Sequence, residues 1–179
     1  MPEYDISEIE RLIDGKLPWK RVQEIMKAAK DSDRFQKWVQ ILQSRVSWNE
    51  QILLPLTTNL FIVQQGDDRV VKCRCGQNFG DYRVNWKLNA LIYVRDDAEK
   101  LNEVYRGREQ PDSEWTQIRE YYCPGCGSQL EVEGVPRGTP PDFEFLPDLD
   151  TFYREWLGKP LPNEVEFTDK TLDVVREWV

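Results

Sequence analysis

Val71-Lys72-Cys73-Arg74-Cys75-Gly76 and Tyr121-Tyr122-Cys123-Pro124-Gly125-Cys126-Gly127 decide how this chain is read, because all four of its cysteines lie in these two stretches. A pair of thiolates two or three residues apart lets one tight turn aim both sulfurs at a single ion, and two such turns supply four soft ligands in a tetrahedron, which suits zinc. Glycine after the second cysteine of each pair permits a positive φ, so that backbone N–H groups turn towards the sulfurs. Pro124 stiffens the second turn. Cys123 and Cys126 follow the usual zinc-knuckle pattern, whereas the single residue between Cys73 and Cys75 makes a tighter turn that is harder to fit around one ion. Iron in a rubredoxin-like electron-transfer site, a disulfide and free thiols are the alternatives. Four protein ligands close the coordination shell, so such an ion holds a fold and does not activate water.

Both cysteine pairs border β-prone sequence. Leu60-Phe61-Ile62-Val63 reads as a strand, Gln65-Gly66-Asp67-Asp68 as a turn and Arg69-Val70-Val71-Lys72 as the return strand. Leu91 to Val94 is a further strand, and Asp96 or Asp97 can cap a helix through Leu101 and Val104. Trp115 to Tyr122 and Leu130 to Glu133 are strands flanking the second pair.

Before this region the pattern is helical. Ile6, Ile9, Leu12 and Ile13 share a face and Gly15 ends it, while Pro18 suits the first turn of a second helix carrying Val22, Ile25, Met26 and Ala29. Asp31 or Asp33 can cap a third helix carrying Phe35, Trp38, Val39, Leu42 and Val46, and Ser47 and Glu50 have capping-box spacing. After it, Val135 to Pro147 is a Pro- and Gly-rich strap, Leu149 to Leu157 a short helix closed by Gly158, and Leu172 to Val179 a final helix. The fold class expected is α+β: a helical arm over residues 1–50, a zinc-ribbon-like antiparallel β core with two cysteine knuckles over 51–134, and a C-terminal strap and helices over 135–179.

Composition narrows the function. Acidic residues outnumber basic ones, 32 to 24, for a net charge of −8 and a pI near 4.8. Nucleic-acid binding draws on Lys and Arg neutralising phosphates, which this balance opposes. No run of eighteen apolar residues occurs and the N-terminus is acidic, so neither a membrane span nor a secretion signal is expected. The reading is cytoplasmic, where thiols stay reduced and clustered cysteines take metal before disulfides. The chain has no histidine, which removes histidine-based nucleophile pairs, general bases and metal sites together. It also has no phosphate-binding loop motif. Acidic pairs such as Asp67-Asp68 and Asp96-Asp97 fall in turns or at helix starts, where capping accounts for them. Seven Trp, seven Tyr and seven Phe are divided between a large core and an interface, with Phe143, Phe145, Phe152, Tyr153 and Trp156 gathered in and after the strap.

Several segments in series resemble a known family. These are Asp14-Gly15-Lys16-Leu17-Pro18-Trp19, Ile52-Leu53-Leu54-Pro55-Leu56, the first cysteine stretch, Asp81-Tyr82-Arg83-Val84-Asn85-Trp86-Lys87-Leu88, Glu120 to Gly127 and Asp150 to Gly158. Their order and spacing, far more than the cysteines alone, resemble the gamma subunit of acetone carboxylase, the small subunit of the ketone carboxylases. The resemblance runs from about residue 10 to about residue 162. It implies a complex of two alpha, two beta and two gamma chains that makes acetoacetate from acetone and bicarbonate at the expense of ATP. ATP and manganese then belong to the larger alpha and beta subunits and zinc to this chain, with Cys73, Cys75, Cys123 and Cys126 the only residues that carry a family role, as ligands. A relative acting on acetophenone or another ketone fits the same resemblance. Two rivals stand beside it. One makes this chain part of the carboxylation site through Asp81, Tyr82, Arg83 and Trp86; the other makes it a stand-alone zinc-ribbon interaction or nucleic-acid-binding module.

Overall fold

The structure, a computed structural model, describes residues 4–29 and 31–176. Three short helices come first: α1 (Ile6–Ile13), α2 (Trp19–Lys27) and α3 (Arg34–Gln43). Gly15 ends α1 at φ +65°, a conformation open to glycine at little cost. Tyr4, Ile9, Ile25 and Ile41 are buried together with Leu12, Ile13 and Leu17 packed against them. Each isoleucine buried there contributes roughly 1.5–3 kcal/mol. The expected apolar face of α2 is only partly used. Ile25 is buried but Met26, about 100° further round the helix, is 72% exposed. Asp33 occupies the α3 N-cap without a side-chain cap hydrogen bond, while Asp31 is drawn to Arg34, whose Nε donates to Oδ1 at 2.6 Å. Ser47 and Glu50 open no helix; Glu50 instead pairs with Lys72 across the sheet.

The β region is two antiparallel sheets. The first, in the order β1-β2-β3-β4, comprises β1 (Gln51–Pro55), β2 (Leu60–Gln65), β3 (Asp68–Cys73) and β4 (Asn78–Asp81). The second, β5-β6-β7, comprises β5 (Leu91–Arg95), β6 (Thr116–Tyr122) and β7 (Gln129–Pro136). β1 and β4 escaped the sequence reading, since neither alternates cleanly. The first sheet is covered on both faces, which explains why Leu60 to Val63 is an unbroken apolar run. Ile52, Phe61, Val63 and Val70 lie under Val39 and Leu42 of α3 and under Val46, which follows the helix instead of lying within it as expected, while Leu53, Leu60, Ile62 and Val71 face the second sheet and the C-terminal segment. A short 3₁₀ helix, Trp86–Asn89, crosses between the sheets and sets the Trp86 ring 6.0 Å from both Phe79 and Tyr121, edge to face. Asp97 caps α4 (Ala98–Tyr105) by accepting from the Lys100 N–H at 2.8 Å.

The strap returns the chain to the first sheet. α5 (Leu149–Thr151) passes directly into a π-helical turn, Phe152–Trp156, so the segment read as one short α-helix changes its winding midway. Leu149 and Tyr153 are buried in the β core, and Arg69 forks both guanidinium nitrogens onto Asp150 at 2.7 Å. A bulge falls between Ile52 and Leu54 in β1, and the Leu53 carbonyl there accepts from the Tyr153 hydroxyl at 2.8 Å. Removing that hydroxyl leaves a buried carbonyl without its partner, so Tyr153→Phe is expected to cost about 1–2 kcal/mol in urea unfolding. An unchanged midpoint would mean the hydroxyl carries no net stability. A last helix, α6 (Thr171–Arg176), follows; the remainder of the helix expected to Val179 lies outside the described residues. Among the described residues, no helix is long and apolar enough to cross a membrane.

Candidate metal centre

Each cysteine pair sits at the end of a strand, and each strand belongs to a different sheet. Cys73 closes β3 and Cys123 follows β6 directly. The turns are built alike. In the first, Cys73 N–H donates to the Gln77 carbonyl and Gly76 N–H to the Cys73 carbonyl, both at 2.8 Å, with Gly76 at φ +101°. In the second, Cys123 N–H donates to the Ser128 carbonyl at 2.9 Å and Gly127 N–H to the Cys123 carbonyl at 2.8 Å, with Gly127 at φ +70°. These are the positive φ values the two glycines were expected to supply.

The four sulfurs lie within 4.8 Å of one another. Cys73 Sγ is 3.9 Å from Cys126 Sγ and Cys75 Sγ is 3.6 Å from Cys123 Sγ, far beyond any S–S bond. A tetrahedron of thiolates with metal–sulfur bonds of about 2.3 Å has sulfur–sulfur edges of about 3.8 Å. The donor set therefore fits a tetrahedral ion, and the tight Cys73–Cys75 turn presents both sulfurs despite its missing residue. Gly125 makes the approach possible: a Cβ there would sit 3.1 Å from Gln77 Cβ and 3.4 Å from Cys75 Sγ.

The four environments differ. Cys73 and Cys123 are buried and Cys75 and Cys126 exposed, so the site has one dry side and one wet side. Burial pushes the Cys73 and Cys123 thiols up, favouring the neutral form in the absence of a cation. Ser128, through its hydroxyl and its backbone N–H, draws the Cys126 thiol down to about 6. A divalent ion would supply the charge that the buried pair lacks.

Sequence reasoning missed the residues that brace this centre. The Trp48 indole N–H donates to the Arg74 carbonyl at 3.1 Å, its ring edge approaches Gly76, and the Lys72 ammonium lies 5.0 Å from the ring centre. A further group, Glu131, Glu133 and Glu144, brings three carboxylates together, but Lys87 already supplies their cation. Its Nζ lies 2.7 Å from Glu131, 3.1 Å from Glu133 and 3.3 Å from Glu144. The alternation of Glu131 and Glu133 on one strand face was the only available signal for it.

Of the rival catalytic set, the fold keeps Asp81, Tyr82 and Arg83 beside one cavity and places Trp86 elsewhere. Trp86 is core. Asp81 and Arg83 face each other, Arg83 Nη2 lying 2.6 Å from Asp81 Oδ2, and this contact overcomes burial to hold the carboxyl below its usual range. Tyr82 is buried, which raises its hydroxyl. That cavity, of about 260 Å³, is lined by Asp67, Asp68, Arg69, Val70 and Val165 together with Asp81, Tyr82 and Arg83, but Arg69 is already held by Asp150 and Arg83 by Asp81.

Comparison with known proteins agrees with this architecture. A family profile described as acetone carboxylase gamma subunit matches residues 46–157, a span that contains both cysteine pairs and all seven strands. The acetone carboxylase gamma subunit of Xanthobacter autotrophicus is 41% identical over 165 residues, covering 91% of this chain and 98% of that one. The acetophenone carboxylase beta subunit of Aromatoleum aromaticum is 35% identical over 79 residues, 43% of this chain and 61% of that one. With four sulfurs gathered at the junction of two sheets and a relative matched over nearly its whole length, the chain belongs to the acetone carboxylase gamma subunit family.

Proposed function

We propose that this chain is the small zinc-binding subunit of an ATP-dependent ketone carboxylase, in which it holds structure and supports assembly. The active site, with ATP and manganese, is assigned to the larger alpha and beta subunits of an α2β2γ2 complex. Acetone and bicarbonate, giving acetoacetate, are the favoured reaction, because the acetone carboxylase relative matches 91% of the chain and the acetophenone carboxylase relative 43%. The observation that carries the zinc assignment is the set of cross-pair sulfur distances, 3.6 and 3.9 Å, against the roughly 3.8 Å edge of a zinc–thiolate tetrahedron.

Cys73, Cys75, Cys123 and Cys126 would hold the ion, which when bound supplies a cross-link between β3 and β6 and no open coordination position. In this reading residues 1–50 form the helical arm, 51–134 the zinc-stabilised core and 135–179 the strap, and the complex works in the cytoplasm, where the thiols remain available to metal.

Cys126 offers the mildest way to test this, because its side chain is exposed. Cys126→Ser should bind less than about a tenth of the zinc of the unaltered chain, since three thiolates and a hydroxyl are a much poorer set. Metal analysis of the purified protein reads the first effect, and co-purification with the larger subunits reads the yield of complex, which should fall with it. A zinc-free variant that assembles fully would overturn the assembly role while leaving the metal assignment standing.

A further inference from the structure

The metal centre is unequal towards solvent. Each turn presents one sulfur outward and holds one inward: Cys75 and Cys126 are exposed, Cys73 and Cys123 buried. Across the gap between the turns an exposed sulfur faces a buried one both times. Cys126 Sγ lies 3.9 Å from Cys73 Sγ, and Cys75 Sγ lies 3.6 Å from Cys123 Sγ. A reagent arriving from water therefore meets Cys75 and Cys126 first, and each has a second sulfur of the opposite turn beside it. Sulfurs in a disulfide stand about 2.05 Å apart, so closing either gap needs a shift of less than about 2 Å. Exposed thiolate character next to a resolving cysteine is the arrangement that senses oxidants.

We infer that the centre is a thiol-reversible peroxide switch, in which disulfides between the two turns replace the ion; this rests on the zinc reading above. Metal binding keeps the cysteines as thiolates, the nucleophilic form. The exposed sulfur of Cys75 or Cys126 attacks a peroxide oxygen: an S–O bond forms, the O–O bond breaks and hydroxide leaves, the sulfur being oxidised to a sulfenic acid and the peroxide reduced. The facing buried sulfur then attacks that sulfur. An S–S bond forms, the S–O bond breaks and a second hydroxide leaves, both hydroxides taking protons from solvent to become water. One such bridge removes two of the four ligands, and the ion is released as Zn²⁺. Because the bridge runs from the end of β3 to the residue after β6, the two sheets stay linked when the ion is gone. Small thiols reverse the change by exchange through a mixed disulfide.

Zinc release and peptide mapping of the full-length chain, purified under reducing conditions and then freed of thiol, test this together. Hydrogen peroxide should speed the transfer of zinc to a coloured chelator at least about tenfold, and dithiothreitol with added zinc should restore the original zinc content. Trypsin cuts after Lys72, Arg74, Arg83, Arg119 and Arg137, which parts Cys73 from Cys75 and leaves Cys123 and Cys126 in one peptide. The oxidised chain should therefore yield the 120–137 peptide joined to the 75–83 peptide or to Cys73-Arg74. The same chain should resist urea better than the reduced chain stripped by a chelator, since only the oxidised form keeps a link between the sheets. Zinc held unchanged in peroxide overturns the switch and leaves the metal assignment standing. Bridges confined within each turn, or sulfinic acids without bridges, also overturn it. A reduced chain that carries no zinc and takes up none overturns both readings.

Discussion

Cys123→Ser should lower the stability of this protein by at least about 3 kcal/mol and reduce its zinc content from one per chain to almost none. Cys123 is fully buried and sits among core residues of both sheets, next to Tyr121 and with Cys73 in the same cluster. In the proposed reading the ion it would help to hold closes a link between β3 and β6, which share no ladder hydrogen bonds because they belong to different sheets. Losing it leaves the inter-sheet contact to apolar packing alone and adds a hydroxyl that must find a partner in a dry place. For a chain of this length the drop corresponds to roughly 6–12 °C in Tm. A strong chelator should bring the unaltered protein down to the same level and should leave Cys123→Ser where it is. Unfolding of the variant at the same urea concentration as the parent would show that the sulfurs hold no structural ion.

Lys87→Met should cost about 3–5 kcal/mol at neutral pH, a larger effect than any exposed ion pair in the molecule can have. Lys87 is 2% exposed, its Nζ lies 5.2 Å from the centre of the Tyr121 ring, and it faces Glu131, Glu133 and Glu144. Methionine keeps much of the volume but leaves these carboxylates without their cation. Arg119 remains beside Glu133, its Nε 2.7 Å from the carboxylate, yet this contact is poorly aligned for a hydrogen bond and does not reach Glu131. In the parent, burial acts to lower the Lys87 ammonium, but hydrogen bonds to Glu131 and Glu133 prevail and raise it. Its stabilising contribution is therefore complete below about pH 10 and is lost only as the pH climbs through the raised value.

The carboxylates set the acid side. Glu133 is held below its usual value by Tyr121 and Lys87 despite its burial, so the stability it contributes is present above the ordinary glutamate range and lost as pH falls through the lowered value. Burial outweighs Lys87 at Glu131 and raises it, so that group works in the opposite sense and favours the folded state as it protonates. Without Lys87 both carboxyls protonate more readily, and once neutral they no longer need a cation. The gap between Lys87→Met and the parent should accordingly shrink between pH 7 and pH 4, measured as the difference in urea midpoints. A gap that stays constant or widens over that range would show that the loss comes from packing and not from charge.

Most of the local structure was legible because it follows from short-range rules. Gly15 stopping α1, Asp97 capping α4, the turn at Gly66 and the strand on either side of it all depend on residues close in the chain. Departures arose where distant residues decide. Glu50 was read into a capping box with Ser47, but Lys72, two strands away in the sheet, offered its carboxylate a better partner. Met26 lies at helical spacing from Val22 but has nothing to pack against, since α2 is covered on one side only. β1 went unseen because its strand character depends on α3 covering one face and Tyr153 meeting its bulge from a hundred residues away.

The same division runs through the metal centre. Spacing and residue type alone, two pairs of cysteines each followed by glycine, picked out the four sulfurs that the fold brings within 4.8 Å of one another, because the turn that aims a pair of thiols is a local feature. Only the tertiary structure decided that the two pairs end strands of different sheets, that Gly125 is the point of closest approach and that Trp48 and Lys87 brace the surroundings. Those facts depend on how two sheets pack, and packing is set by the summed contacts of residues far apart in the chain, which no local pattern encodes.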